Sequence, residues 1–228
     1  MKLILVRHGE TEWNKQRRIQ GCRSDTRLNQ KGLEEADRLA AVLRKERIDA
    51  IYSSPMKRAA ETAQIIAEAC KLPVHVFVEL REIDAGELDG LFERELAGAY
   101  GTAWKELING NAATPLPGGE SLQDLQKRTS WAVDRMLEKH IDGTVVVVAH
   151  LLANLVVVCQ ALGINLSQVA RLRQAPASIT ILEMTRCKAD SRSFRPMKGI
   201  APVWNCSWTR RRPYTGACCA WPGGRILT

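Results

Sequence analysis

The sequence predicts a single three-layer α/β domain, in which a mainly parallel sheet carries helices on both of its faces. Two observations support this fold class: short apolar runs of strand length alternate along the chain with longer segments of helical periodicity, and no segment repeats. The 228 residues suit one domain, and 45% hydrophobic with 25% charged residues is a globular composition that excludes general disorder.

Five short segments rich in aliphatic residues predict the strands. Residues 144–148 (TVVVV) are continuously apolar, which is typical of a strand buried on both sides. The others are residues 2–6 (KLILV), 50–53 (AIYS), 73–78 (PVHVFV) and 178–184 (SITILEM).

Helices are predicted between these strands from apolar residues at helical spacing. Asn29 is a good N-cap for the first, Pro55 fits the first turn of the second, and Gly163 ends the last at Leu162. The predicted helical segments are residues 29–47, 55–70, 92–110 (weakly patterned), 120–139 and the segment that ends at 162. Residues 111–119, with two prolines and two glycines, predict a loop.

The charge and the composition divide the chain into a domain of residues 1–184 and a basic tail of residues 185–228. Of 33 Lys and Arg and 25 Asp and Glu, the tail holds nine and one, so residues 1–184 hold 24 of each and are neutral. The tail also holds three of the six Trp and four of the seven Cys, and it has no apolar periodicity.

Three interpretations of the tail stay open. A basic, Trp-containing arm would bind nucleic acid or another acidic surface, and the tail is the one feature that points to such a partner. A cysteine metal site is a second, although Cys206 and the pair Cys218 and Cys219 lack zinc-ribbon spacing. The third, favoured by the abrupt change of composition, is an adventitious end such as a shifted reading frame.

We expect a cytoplasmic protein without a membrane partner. The N-terminus lacks the pattern of a signal peptide, and no apolar stretch approaches the roughly 20 residues of a spanning helix. The odd number of seven cysteines, without regular spacing, argues against a disulfide framework.

Two predicted strands end at a histidine. The first runs into Arg7, His8 and Gly9, and the fourth runs into His150. The carboxyl ends of parallel strands form the ligand-binding edge of such sheets, so both rings are expected to face one pocket. A neutral imidazole is a nucleophile, and the fork of donors on Arg7 suits phosphoryl oxygens.

Several segments, in order, resemble the motifs of the histidine phosphatase superfamily, the phosphoglycerate-mutase-like enzymes. The resemblance covers residues 1–184 and is specific because the segments occur together. They are residues 5–14 (LVRHGETEWN), 20–21 with 25–29 (QG, DTRLN), 52–63 (YSSPMKRAAETA), 80–90 (LREIDAGELDG), 117–121 (PGGES) and 147–150 (VVAH).

The resemblance implies a role for each matching residue. His8 attacks phosphorus and forms a phosphohistidine, while Arg7, Arg58 and His150 stabilise the phosphoryl charge. Glu82 gives a proton to the leaving alcohol and later takes one from water. The remaining implied contacts to the substrate come from Asn14, Gln20, Gly21 and the backbone N–H of Leu151. No cofactor and no metal is implied, although the acids at 82, 84, 87 and 89 also offer oxygen ligands for Mg²⁺.

Some residues depart from the family pattern. Leu151 and Leu152 stand where two glycines usually follow the second histidine, and Asn154 and Leu155 stand where an arginine often occurs. The bulk of the leucines is expected to narrow the pocket or to shift the start of the following helix. These departures bear on the substrate more than on phosphoryl transfer.

We therefore predict a phosphomonoesterase that acts on a small phosphorylated metabolite, without a metal ion. The family includes general phosphatases and α-ribazole phosphatases. A mutase is the closest alternative, and the short segment 90–119 argues against the longer insertion of mutases. A phosphate-binding protein without turnover is the alternative from another class, and Leu151 and Leu152 would support it.

Overall fold

The computed structural model describes residues 1–97, 100–108, 111–186 and 194–196. Strands and helices alternate along the chain, with 3-10 turns in the connections. In chain order they are β1 (Lys2–Arg7), α1 (Glu12–Lys15), α2 (Gln30–Leu43), β2 (Ala50–Ser53), α3 (Lys57–Cys70), β3 (Val74–Val76), α4 (Gly101–Ile108), α5 (Leu122–Lys139), β4 (Thr144–Ala149), α6 (Leu151–Leu162), β5 (Ile179–Arg186) and β6 (Phe194–Pro196).

The strands form one sheet in the order β3-β2-β4-β1-β5-β6. The first four strands of the chain run parallel, and β5 joins β1 in the antiparallel sense. In the central pair, Arg7 is in register with Ala149, and in the next pair Ser53 is in register with Val148. The carboxyl ends of β1, β4 and β2 therefore lie side by side at one edge of the sheet.

Side-chain alternation along the central strands builds a core on each face. Ile4 and Val6 of β1 pack with residues of α2 and α3, such as Leu43 and Ile66. Leu3 and Leu5 point the other way, into the larger cluster that includes residues of α5 and α6. Since successive strand residues point to opposite faces, a continuously apolar strand requires helices on both sides. The predicted three-layer α/β fold is confirmed.

The predicted element boundaries hold best for the buried strands. β2 has the predicted bounds, and β1 and β4 each extend one residue further. The predicted helix over residues 29–47 is too long: α2 ends at Leu43, because the charged residues 44–47 offer no apolar side chain to pack. The predicted helix over residues 92–110 is confirmed only for Gly101–Ile108, since a 3-10 turn at Glu93–Ala97 precedes this short α4.

β5 continues two residues beyond Met184, and β6 pairs with it in the antiparallel sense. The predictions for the tail otherwise fall on residues outside the described ones. Within the described residues, no helix has the length and apolar content needed to cross a membrane.

Candidate active site

Three polar side chains meet where β1, β4 and β2 end. His8 and His150 directly follow β1 and β4, and their ring centroids are 5.2 Å apart. Ser54 follows β2, and its Oγ lies 2.8 Å from His150 Nε2. All three residues are buried, His8 to 3% exposure. The parallel register thus brings both sequence-predicted histidines to one place.

The backbone orients the ring of His8. Its Nδ1 lies 2.7 Å from the carbonyl oxygen of Gly9, and because a carbonyl can only accept, Nδ1 is assigned the proton. Nε2 is then the unprotonated nitrogen. Gly9 has no side chain because the chain passes against α2, where an added Cβ would lie 2.5 Å from the carbonyl oxygen of Gly32. The glycine therefore serves backbone packing at this position.

Two guanidinium groups lie beside the rings and are held by carbonyl oxygens. Arg7 donates Nη1 to the carbonyl of Gln174 at 2.6 Å. Arg58, fully buried at the start of α3, donates to the carbonyls of Ser24 and Gly21 at 2.7 and 3.1 Å. Neither guanidinium has a carboxylate within ion-pair distance among the described residues, so their charge is oriented but not neutralised by direct contact.

Four buried side-chain polar atoms have no hydrogen-bond partner in the part of the chain that the structure describes, and all four belong to this site. They are Arg7 Nε, Arg58 Nε, Gln20 Nε2 and His150 Nδ1. Three of them can only donate, and His150 Nδ1 donates in one tautomer. Unsatisfied buried donors are costly and rare, so a cluster of them indicates a binding site for an anionic group.

Burial and the two arginines keep the rings neutral. Loss of solvation, reinforced by the charges of Arg58 and Arg7, holds the pKa of His8 well below its usual value. The same causes lower the pKa of His150, where His8 also contributes. Burial lowers the pKa of Arg7 to about 10, which leaves it charged at neutral pH. The site therefore combines cationic donors with a neutral nucleophile.

Glu82 reaches the site from a loop and joins it to α6. Its carboxylate accepts backbone N–H groups from Ile83, Leu152 and Ala153 at 2.9 to 3.1 Å. Leu152 and Ala153 belong to the first turn of α6, whose N–H groups have no acceptor within the helix. The helix that follows His150 thus fixes Glu82 beside the cavity.

The remaining sequence-predicted residues lie on the first loops. Asn14 closes a capping box with Thr11 at the start of α1. Gln20 accepts from the hydroxyls of Thr11 and Thr26 at 2.8 Å each, which turns its Nε2 into the free donor described above. Gly21 holds Arg58 through its carbonyl.

A cavity of about 640 Å³ opens over these groups. Its lining includes Arg7, His8, Asn14, Gln20, Gly21, Glu82 and Leu151. Arg58 and His150 are fully buried and do not line it. They adjoin the lining residues, since Arg58 donates to the carbonyl of Gly21 and the ring of His150 lies beside that of His8.

Sequence reasoning missed several residues of the site. Ser54 could have been found from its position in the sequence, because it directly follows β2 as His8 and His150 follow β1 and β4. Gln174 could not have been found in this way, since its contact with Arg7 spans 167 positions. Asp89 was considered above as a Mg²⁺ ligand. Its carboxylate instead accepts the backbone N–H groups of Gly21, Arg23 and Ser24. It thereby fixes the loop whose carbonyl oxygens, at Gly21 and Ser24, accept hydrogen bonds from Arg58.

The other acids of that alternative also have separate partners. Asp84 pairs with Arg23 at 2.7 Å, and Glu87 accepts from the hydroxyl of Tyr100 at 3.1 Å. Among the described residues, no group of three or more His, Cys, Asp or Glu has the geometry to hold a metal ion.

Comparison with known proteins places the motifs in context. The model of the family "Histidine phosphatase superfamily (branch 1)" matches residues 3–195. The chain is 43% identical over 152 residues to phosphoglycerate mutase-like protein 4 of Arabidopsis thaliana, covering 65% of this chain and 66% of that protein. It is 36% identical over 184 residues to phosphoserine phosphatase 1 of Hydrogenobacter thermophilus, covering 81% and 87%.

Solved structures agree with these relatives. A mycobacterial glucosyl-3-phosphoglycerate phosphatase superposes with a TM-score of 0.76 at 30% identity, over 85% of this chain and 94% of that one. An α-ribazole phosphatase of Shigella flexneri superposes with a TM-score of 0.72 over 82% and 92%, and at 24% identity this shows a common fold alone.

Proposed function

Since the chain belongs to the histidine phosphatase superfamily, we propose that it hydrolyses a small phosphomonoester through a phosphohistidine on His8. The observation that carries this proposal is the group of four unpartnered polar atoms, on Arg7, Gln20, Arg58 and His150, beside a neutral imidazole. Phosphatases among the similar proteins support a hydrolase.

In the first step, the lone pair of His8 Nε2 attacks phosphorus in line with the ester oxygen. The P–N bond forms as the P–O bond breaks, and Glu82 in its protonated form gives its proton to the departing alkoxide. The cationic donors of Arg7 and Arg58 face the phosphoryl oxygens while negative charge moves toward the leaving group.

In the second step, Glu82 accepts a proton from water as the water oxygen attacks phosphorus. The P–N bond breaks and inorganic phosphate leaves, so that His8 and the protonated carboxyl of Glu82 return to their starting state. These two side chains and water account for every proton and bond of the cycle.

The test is a phosphoenzyme measurement on the full chain. After rapid mixing with a ³²P-labelled alkyl phosphate and quenching in alkali, the wild type is expected to retain label that acid removes, because phosphohistidine is acid-labile. His8→Ala should retain none and should lose turnover. His75→Ala is the matched control, since His75 lies on β3 at the far edge of the sheet, and it should behave as the wild type. Label retained by His8→Ala would overturn the proposal.

A mutase is the second candidate, because one relative is named as phosphoglycerate mutase-like. Incubation with 3-phosphoglycerate separates the two: a hydrolase releases inorganic phosphate, and a mutase forms the 2-phosphate isomer without net release. A protein that binds phosphate without turnover would show neither product.

A further inference from the structure

Much of the cavity wall is apolar. Beyond the polar residues, its walls include Trp104 and Leu107 of α4, Leu152 and Leu155 of α6, Leu116 and Leu172. At about 640 Å³ the cavity falls in the range that holds drug-sized ligands, well beyond a phosphate with a three-carbon alcohol. Most of the space is therefore available to the alcohol half of the ester.

The apolar wall starts at the proposed proton donor. The N–H of Leu152 donates to Glu82 Oε2 at 3.0 Å, so the side chains of the first turn of α6 stand next to the leaving oxygen. Leu155, one turn further along, is 4% exposed and lines the same cavity. The first carbons of the alcohol would contact these leucines.

The three arginines of the lining other than Arg7 have contacts of their own or lie in solvent. Arg18 donates Nε to the carbonyl of Gly90 at 3.0 Å, and its guanidinium stacks over Trp13 at 4.8 Å. Arg173 is exposed and donates to the carbonyl of Ala170 at 2.7 Å. Arg17 has a side chain that is 82% exposed, in the solvent.

A short carboxylated alcohol would suit this wall poorly. A charge buried without a partner is unfavourable, and the first turn of α6, where this wall begins, already holds the carboxyl of Glu82 through the N–H of Leu152. An apolar chain would instead bury its surface against leucine and tryptophan side chains.

We propose that the preferred substrates are phosphomonoesters of apolar alcohols, with a linear or aromatic hydrocarbon group longer than three carbons. This inference rests on the proposed phosphatase function and names its substrate class. Leu152, Leu155 and their neighbours act in it as specificity-determining residues.

The first experiment measures kcat/KM for a series of n-alkyl phosphates from ethyl to octyl, beside glycerol phosphate, O-phosphoserine and 3-phosphoglycerate. The alkyl esters share nearly the same leaving-group chemistry, so differences report on the cavity. We expect kcat/KM to rise about fourfold for each methylene that becomes buried, until the cavity is filled. A flat series, or faster turnover of the carboxylated esters than of hexyl phosphate, would overturn the inference.

Matched variants then locate the effect. Leu152→Asn and Leu172→Asn, both at half-buried positions, should flatten the dependence on chain length. Leu162→Asn, on the same helix as Leu152 but outside the cavity lining, should preserve it. An equal response of all three variants would contradict a role of the cavity wall.

Binding of n-alkylphosphonates, which cannot be hydrolysed at a P–O ester bond, separates the two proposals. In one outcome, the affinity measured by calorimetry rises with chain length although no ester is hydrolysed. This result would support the apolar binding site and contradict the proposed phosphatase activity. Turnover that depends on His8 without any chain-length effect on rate or affinity would reject the substrate class and leave the phosphatase standing.

Discussion

The tautomer of His150 follows from its neighbours. The Oγ of Ser54 accepts the backbone N–H of Met56 at 3.3 Å and lies 2.8 Å from His150 Nε2. We assign the serine hydroxyl as the donor to Nε2, which leaves the proton on Nδ1, the atom without a partner. Ser54 thereby turns His150 into a donor for a phosphoryl oxygen.

We predict that Ser54→Ala lowers kcat/KM about tenfold. The ring then loses the hydrogen bond that fixes its tautomer, and a loss of about 1.4 kcal/mol in transition-state binding corresponds to a factor of ten. Steady-state kinetics with a single phosphomonoester measure the effect.

Ser53→Ala is the matched control. This neighbouring serine is equally buried, and its replacement removes the hydrogen bond from its Oγ to the carbonyl of Ser54 at 2.9 Å without touching His150. Ser53→Ala should lower the free energy of unfolding about as much as Ser54→Ala does, while its kcat/KM stays near the wild-type value. Equal kinetic losses in the two variants would refute the assigned role of Ser54.

Site residues could be predicted from the sequence where local order dictates position. His8 and His150 each follow a strongly apolar strand, so their place at the sheet edge follows from the strand itself. The residues that orient the neighbouring cationic groups lie far away in the sequence. Gln174 accepts a hydrogen bond from Arg7, and Asp89 accepts one from Gly21 in the loop that holds Arg58. Those contacts depend on tertiary packing that no local pattern encodes.

At the level of elements, one arginine on α5 secures the loop that carries Glu82. Arg128 donates to the carbonyls of Glu79, Arg81 and Glu82 at 2.6 to 2.8 Å, and it pairs with the carboxylate of Glu120 at 2.8 Å. Its side chain is 16% exposed. One guanidinium thus provides hydrogen-bond donors for three carbonyl oxygens of an irregular segment.

We predict that Arg128→Met lowers the free energy of unfolding by about 3 kcal/mol. Three carbonyl oxygens and one carboxylate lose a charged donor at a largely buried position, whereas methionine preserves most of the aliphatic volume. Urea unfolding followed by circular dichroism gives the change in midpoint and slope.

Arg135→Met on the same helix is the control. Arg135 pairs with Glu138 at 2.7 Å, with both side chains more than 40% exposed, and such pairs contribute at most about 1 kcal/mol. A loss in Arg128→Met no greater than in Arg135→Met would show that the loop does not depend on this arginine.

The elements also show which sequence patterns are informative. β2 and β4 were predictable almost to the residue because both are short runs of mostly apolar residues, as a strand buried on both faces requires. The segment of residues 92–110 was not, because its pattern is weak and its ends are fixed by contacts such as that of Phe92 with Arg18. Helix ends set by loss of packing, as at Leu43, fall between these cases.

The whole molecule keeps two uncharged imidazoles beneath a cationic pocket, and this ties its stability to pH. Burial, together with Arg58 and Arg7, lowers the pKa of both His8 and His150 in the folded state. In the unfolded chain both groups titrate near 6.5. Above that pH both states are neutral, and below it the unfolded chain binds protons that the folded protein does not.

We therefore predict that the free energy of unfolding falls as the pH is lowered from 7 to 5, by up to about 1.4 kcal/mol per pH unit for each of the two histidines. His140 contributes in the same direction, because partial burial lowers its pKa too. The carboxylates with a lowered pKa, Glu10 and Asp124, have ordinary values of 4.5 and 3.8, so their contribution is lost at a lower pH.

Urea titrations at pH 7, 6 and 5 on the wild type and on His8→Asn measure this linkage. The variant should lose stability less steeply, since one of the buried imidazoles is gone while the fold and the other groups stay the same. If the wild type and the variant have equal slopes between pH 7 and 5, His8 takes up its proton over the same pH range in the folded protein as in the unfolded chain. Burial beside two arginines would then not keep this ring neutral, and the pocket would hold a third cation in place of the nucleophile at pH values below about 6.5.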